Sequence, residues 1–250
     1  MRPAVVTEHA TASASRNRGP RRSEAELGTC VSISIIIPAL NAGGSIGATL
    51  TSAAGVDETV VVDGGSNDAT VAAAEAAGAH VIVTARGRGR QLAAGAAAAR
   101  GEWLLFLHAD TVLAPGWLKV ARAHMASGRG TAAAFRFALD DSSWQARLLE
   151  RGVDLRTRWL GLPYGDQGLL IDRELYDELG GYRPMPIMED VDLVRRIGAN
   201  RLIQLECAAI TSATRWRRRG WVRQSLGNQI CLALYFLGVS PERIRRLYER

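Results

Sequence analysis

Cysteine is scarce in this chain, lysine almost absent, and long apolar runs missing altogether. Three cysteines, Cys30, Cys207 and Cys231, are spread through 250 residues. They form neither a disulfide framework nor a metal-ligand spacing, which points to a reducing, cytosolic compartment. The longest late apolar stretch, Ile230 to Leu237, is far shorter than the roughly 18 residues a spanning helix needs, so no transmembrane helix is expected. Residues 1–28 are rich in Ala, Ser, Thr and Arg and lack an apolar core segment, so they read as a disordered tail and not as a secretory signal. No internal repeat is visible.

What is present is an ordinary globular composition with an uneven charge. Hydrophobic residues make up 47% and charged residues 22%, enough for one good core in a single domain. The formal charge is +6, but residues 215–250 hold nine Arg and two Glu, a net of +7, so everything before them sums to −1. The basic character therefore belongs to a C-terminal segment. Such a segment suits phosphate or anionic lipid, or is simply a solvated helix face. It carries no recognisable nucleic-acid-reading module, so no nucleic-acid partner is expected.

Three apolar runs each end on polar, ligand-capable residues. Ser34–Ile37 runs into Pro38, Ala39, Leu40 and Asn41; Thr59–Val62 into Asp63, Gly64, Gly65 and Ser66; Trp103–Leu107 into His108, Ala109 and Asp110. Continuous Val/Ile/Leu runs suit strands buried on both faces, the mark of a parallel sheet. In open α/β sheets ligands sit beyond the carboxyl ends of the strands. The expected order is strand 32–37, helix 44–54, strand 59–63, helix 68–77, strand 80–83, loop 84–90, helix 90–99 and strand 102–107. Ser66 or Asn67 is expected to cap the second helix and Gly78 to end it. The second half reads as strand 131–139, helix 143–159, strand 165–171, helix 173–179, helix 189–197, strand 202–205 and a basic helical tail.

Several residues have chemistry suited to a site, each with a blander alternative. Asp63, followed by glycines, can accept hydrogen bonds from a nucleobase or ribose, or can merely satisfy turn amides. The Arg86–Gln91 loop opens a helix, where Arg86, Arg90 and the free N–H groups suit a diphosphate; otherwise it is a flexible basic loop. His108 and Asp110, two residues apart in an extended segment, project to the same side. Asp110 is a hard oxygen ligand for Mg²⁺ or Mn²⁺, and His108 is a second ligand or a hydrogen-bonded, partly buried histidine. Glu189 and Asp190 open a helix behind the stiff Pro184/Pro186 loop; they are either dipole-favoured acids or hold a general base. Asp166 and Gln167 lie in a polar, substrate-facing turn.

Taken in order, residues 35–41, 61–70, 87–111, 163–182 and 188–197 resemble the family 2 inverting glycosyltransferases. The His108–Thr111, Pro163–Gly168 and Met188–Leu193 segments, with 214–221 and 238–248, further resemble the bacterial radical-SAM/selenodomain-associated transferase 2 group. The resemblance implies an α/β GT-A fold, a Rossmann-like nucleotide-diphospho-sugar transferase architecture with a mostly parallel central sheet flanked by helices. It implies that Asp63 binds base or ribose with Pro38, Ala39 and Asn41 beside it, that Arg90 lies near the diphosphate, and that Asp110 is the last acid of the metal motif. It makes Asp190, in the pair with Glu189, the catalytic base, and Arg215–Trp216 a motif that closes the donor site. Ala42 stands where many relatives carry an acid, and His108 where they carry the first acid of the metal motif.

The expectation is thus a hexosyltransferase, dependent on Mg²⁺ or Mn²⁺, that moves a sugar from a UDP- or GDP-sugar to an acceptor hydroxyl or carboxylate. Domain bounds are 1–28 for the tail, 29–214 for the transferase and 215–250 for the basic helical segment. Arg and Trp beside the apolar run in 216–237 suit an interfacial helix and a lipid-like acceptor, a polyprenol or carotenoid. The expected location is cytoplasmic, at the inner face of the cell membrane. The rivals are a sugar-phosphate nucleotidyltransferase on a similar fold and an inactive nucleotide-sugar-binding or membrane-associated protein.

Overall fold

The computed structural model describes residues 31–248; the expected tail, 1–28, lies outside them. In chain order the first half comprises β1 (Ile33–Ala39), α1 (Ile46–Ser52), β2 (Glu58–Asp63), α2 (Thr70–Ala76), β3 (His80–Val83), α3 (Arg88–Ala98) and β4 (Trp103–Phe106). Then follow β5 (Thr111–Leu113), α4 (Trp117–Ala126), β6 (Ala132–Leu139), α5 (Trp144–Leu160), a 3-10 turn (Gly165–Gln167), β7 (Leu169–Asp172) and α6 (Arg173–Glu178). The chain continues through α7 (Glu189–Ile197), a second 3-10 turn (Ala199–Arg201), β8 (Leu202–Thr211), α8 (Thr214–Arg219), α9 (Trp221–Phe236) and α10 (Pro241–Tyr248).

One eight-stranded sheet runs in the order β3-β2-β1-β4-β7-β6-β8-β5. Four of its seven pairings are parallel, and β7 and β5 supply the antiparallel ones. The continuous apolar runs divide between two cores because successive side chains in a strand point to opposite faces. Ile33, Ile35 and Ile37 join Val61, Leu105 and Trp117 on one face; Ile36 joins Val60, Val62, Leu104 and Phe106 on the other. Each fully buried Ile or Leu contributes about 1.5–3 kcal/mol relative to exposure. The Ala-rich α3 packs closely on the second face. Gly95 makes that approach possible, since a Cβ there would overlap Ile36 and Val62; Gly95→Val would pry the helix off the sheet.

The topology collects chain ends at one rim. Strand order reverses at β1, whose neighbours are β2 and β4, so its carboxyl end is the switch point where α/β sheets take ligands. Because β7 runs antiparallel to β4, with Leu169 opposite Phe106, the Gly165–Gly168 turn enters at that same rim. Strand β8 runs parallel to β6, and its end, Thr211–Ser212, leads into α8.

The second half departs from the sequence expectation in specific places. The expected strand 165–171 splits, because Gly168 adopts a φ of +64° and separates the 3-10 turn from β7. Strand β8 has ten residues where 202–205 was expected; a register shift at Phe135/Arg136 lets it follow β6 to Thr211. Elements β5 and α4 had no counterpart in the expectation. Helix α2 starts at Thr70, capped by neither Ser66 nor Asn67: Asp68 Oδ1 accepts from Thr70 N, while Ser66 is engaged by Asp63 and Asn41.

Candidate functional site

Two cavities open at the rim and share a wall. The larger, about 890 Å³, is lined by Pro38, Ala39 and Asn41 from the end of β1, by Arg86, Arg88, Arg90 and Gln91 from the α3 entrance, and by Pro184–Pro186 opposite. The smaller, about 140 Å³, is lined by Tyr164, Asp166, Asp190, Thr211 and Trp216, with Gln224, Asn228, Cys231 and Tyr248 from the C-terminal helices. Arg88, His108, Asp110 and Arg215 line both. The common wall therefore carries three cationic or imidazole side chains and one carboxylate.

The acid at the head of α7 is aimed by its surroundings. Asp190 Oδ2 accepts from Gly165 N at 2.8 Å and Oδ1 from Val191 N at 2.8 Å. Two residues earlier, at the N-cap of α7, Met188 sits at φ +66°, a costly conformation for a non-glycine residue. Gly165 has no side chain because there is no room for one: a Cβ would lie 2.8 Å from His108 Nε2 and 3.3 Å from Asp190 Oδ2.

Electrostatics separate the roles of the acids. Glu189 is fully buried and forms an ion pair with Arg88; its Oε2 finds no partner among the described residues. Burial pushes its carboxyl up, opposed by Arg88, while Arg88 is held more firmly charged by Glu189 and Asp190 against its own desolvation. Arg88 keeps its proton throughout the working pH range and so favours a charged carboxylate beside it. Asp166 is pushed up to about 6, first by desolvation and then by Asp190 and Asp110, against the pull of Arg156 and Arg88. Its Oδ1 is enclosed without a partner among the described residues. His108 is held well below its ordinary value by burial and by Arg88 and Arg215, so it is a neutral imidazole. Tyr164 is pushed up to about 12 by burial, and Arg156 stacks 3.5 Å from its ring centroid.

Most of the residues singled out in the sequence converge here, but four do not line either cavity. Asp63 is buried, and its carboxylate is engaged by Gly65 N and Ser66 N at 2.8 Å and by Ser66 Oγ, the turn-satisfying alternative. Gly64 donates to Ala39 O, and a Cβ there would press on Gln91. Gln167 is buried, bonded to Phe135 O, Thr157 and Tyr164 N, and ties the turn to β6 instead of facing substrate. Glu189 faces Arg88. Two lining residues also act as ties. Gln91 Nε2 bridges Ala39 O and Val62 O, and Asn41, at φ +50°, accepts from Asn67 N through Oδ1. His108 and Asp110 reach both cavities through a turn, closed by Thr111 N on His108 O, and not through an extended segment.

Sequence reasoning passed over Arg88, Glu242 and Arg245. Arg88 stood inside the basic loop, and only its spacing at the first helical position set it apart from Arg86 and Arg90. Glu242 and Arg245 come from α10 and line the larger cavity; nothing local in 241–248 signals it.

The residues present fit a divalent cation only in part. His108, neutral, and Asp110 offer one nitrogen and one carboxylate, and no group of three His, Cys, Asp or Glu among the described residues could enclose an ion. That set suits an Mg²⁺-type ion that takes its remaining ligands from water and a bound diphosphate.

The sequence profile described as Glycosyl transferase family 2 matches residues 34–187. Among solved structures, glucosyl-3-phosphoglycerate synthase from Mycobacterium tuberculosis, in complex with Mn²⁺, uridine diphosphate and glucosyl-3-phosphoglycerate, superposes with a TM-score of 0.54 at 23% identity. The match covers 73% of this chain and 71% of that one. The same synthase with Mn²⁺, UDP-glucose and phosphoglyceric acid gives a TM-score of 0.53 at 23% identity, covering 73% and 70%. S. aureus TarS 1–349 gives 0.57 at 18% identity, covering 73% of this chain and 60% of that one. At these identities the likeness is one of fold. Among curated proteins no sequence matches.

Proposed function

Since the chain belongs to glycosyl transferase family 2, we propose that it moves a sugar, with inversion, from a nucleoside-diphosphate donor in the larger cavity to an acceptor in the smaller one. The observation that carries this reading is the shared wall: Arg88, His108, Asp110 and Arg215 stand where the two cavities meet. The donor's diphosphate belongs against that wall, and the anomeric carbon belongs at the junction. In this reading residues 29–214 form the transferase domain and 215–250 the basic helical segment, whose side chains between Arg215 and Tyr248 complete both cavities.

Asp190 is the base. Its two backbone hydrogen bonds fix the carboxylate and leave lone pairs for a hydroxyl in the smaller cavity. It takes the acceptor's proton as the acceptor oxygen bonds to the anomeric carbon from the face opposite the nucleotide. The carbon–phosphate-oxygen bond breaks, and its electron pair leaves on the diphosphate. Arg88 and Arg215 meet that charge, preorganised by Glu189 and by α8. The α3 N-terminus, with Arg86 and Arg90, adds free N–H groups and a favourable dipole for the phosphates. His108 and Asp110 would hold a divalent cation, Mn²⁺ or Mg²⁺, which when bound neutralises diphosphate charge. The M. tuberculosis synthase, crystallised with Mn²⁺ and UDP or UDP-glucose, supports a UDP-sugar as the first donor to try.

A lipid-borne acceptor hydroxyl at the inner face of the cell membrane is the acceptor class we favour. The support is the position of the smaller cavity beneath α9, the helix with the exposed apolar stripe Val222, Leu226 and Ile230. The test is product release from UDP- and GDP-sugars with Mn²⁺ and a polyprenol or a lipid extract. Nucleoside diphosphate is expected, and Asp190→Asn should lose at least about 10²-fold in turnover while keeping donor affinity. Pyrophosphate release from a nucleoside triphosphate and a sugar phosphate, assayed in parallel, would mean nucleotidyl transfer instead, and full turnover by the variant would remove Asp190 as base.

A further inference from the structure

Helix α5 is packed inside out. Its buried positions are Ala146, Val153 and Thr157, whereas Trp144 (71% exposed), Leu148, Leu155 and Trp159 (80% exposed) face outward. At 3.6 residues per turn those four outward positions fall in one stripe, roughly 60° wide, opposite the buried one. A surface helix ordinarily turns its large apolar side chains inward. Beside α5 lies the exposed stripe of α9, and between the two helices runs a groove of about 880 Å³ lined by both. Contiguous apolar surface of this kind marks an interaction site.

We propose that this face of α5 and α9 docks on the surface of an anionic lipid bilayer. The charge around it selects that occupant. Arg147, Arg151 and Arg158 follow Trp144 by 3, 7 and 14 positions and so flank the apolar stripe on one side; Arg147 and Arg158 are ion-paired with Glu150 and Asp154, which leaves Arg151 as the flanking cation without an ion pair among the described residues. Tryptophans at both ends of an apolar stripe bordered by arginines match the pattern of a helix seated at headgroup depth. A second copy of the chain docked here would instead bring like charges together, since residues 215–250 already carry a net of +7. No helix among the described residues is long and apolar enough to cross a membrane, so the contact is peripheral. From the sequence, membrane contact is expected in 216–237; on this proposal the face extends to α5 as well.

The groove backs onto the smaller cavity. Arg156 lines it and stacks on Tyr164, which lines the smaller cavity. On α9, Leu232 faces the groove and its neighbour Cys231 the cavity. An amphiphile with its polar head near Asp190 would thus leave its chain toward the bilayer. Only this purpose rests on the proposed transfer reaction; the docking stands apart from it.

Flotation of the full chain with vesicles of phosphatidylcholine, with and without phosphatidylglycerol, tests the proposal. Binding is expected to the anionic vesicles and to weaken with salt. Trp144→Ser with Trp159→Ser should cut vesicle partitioning by at least about tenfold at an unchanged melting temperature, and Arg151→Glu should reduce the preference for phosphatidylglycerol. Leu148→Ser gives an independent variant should the double one fold poorly. Equal flotation of the variants, no binding of the wild type to anionic vesicles, or a wild-type dimer that the double variant dissociates would each overturn it. Hydrolysis of a nucleotide sugar measured without vesicles should be the same in all variants, which separates failure of docking from failure of the transferase reading.

Discussion

Replacing Arg88 should unfold this protein more readily than replacing its partner, and by an amount that depends on pH. Glu189 is fully buried, whereas the Arg88 side chain keeps 35% of its surface in solvent. Arg88→Met therefore leaves a buried carboxylate with no countercharge and one oxygen already without a partner, a situation that costs about 3–5 kcal/mol. For a domain of this size that is a fall of about 10 °C in melting temperature. Glu189→Gln leaves only a partly solvated guanidinium, with an amide oxygen still able to accept from it, and should cost about 1 kcal/mol. Arg88→Met with Glu189→Leu removes both charges and should recover most of the loss. The pH dependence follows from the direction of the shift. Burial raises the Glu189 carboxyl above its unfolded value, and further once Arg88 is gone. The penalty in Arg88→Met is therefore absent below the unfolded pKa, grows as pH rises through the folded one, and is full above it. Thermal and urea unfolding of the four proteins at pH 5 and pH 8 measures this. A loss under about 1 kcal/mol at both pH values would refute the reasoning. So would a folded Glu189→Gln protein as inactive as Asp190→Asn, because Glu189 would then be the base and not the tether.

Three further outcomes follow from the same geometry. Gly165→Ala places a methyl against His108 and Asp190, and turnover should fall at least about tenfold with little change in melting temperature, since misplacement of a catalytic group by a fraction of an ångström is that costly; unchanged single-turnover rates would contradict it. Asp166→Asn should raise stability by up to about 3 kcal/mol above pH 6 and not at pH 4, because the carboxyl is raised to about 6 and its ionisation opposes folding only above its unfolded value; melting curves across that range decide it. Arg245→Gln should raise the donor KM several-fold with kcat nearly kept, the pattern of lost uniform binding, because Arg245 reaches the larger cavity from α10; a kcat defect at unchanged KM would place Arg245 elsewhere.

The fold was legible wherever a property is periodic or punctuated along the chain. The buried runs Ser34–Ile37, Thr59–Val62 and Trp103–Leu107 identify the central strands because each must face a core on both sides. Glycines end or loosen elements where the backbone has to turn left-handed, as at Gly78 and Gly168. Elements β5 and α4 were missed for the opposite reason. Three residues, Thr111–Leu113, carry no measurable alternation, and α4 follows so closely on Pro115–Gly116 that its start is lost in the loop.

The site was legible as a set of side chains but not as a set of roles. Side-chain type places Asp63, Glu189 and Gln167 beside a ligand as readily as Asp190 and Asp110. What separates them is which polar atoms the fold has already used: Asp63 by its own turn, Gln167 by β6, Glu189 by Arg88. Those partners lie as few as two and as many as 101 positions away, and the distant ones leave no trace in local sequence. The same argument bears on α5. Its outward stripe of Trp and Leu has ordinary helical spacing, and spacing alone assigns such a stripe to the core. Only the observation that Ala146, Val153 and Thr157 fill the inward face turns it into unsatisfied surface. On the proposed reading, a side chain's function in this protein is decided by what remains unpartnered among the described residues: the lone pairs of Asp190, the guanidinium of Arg215, and the apolar face of α5.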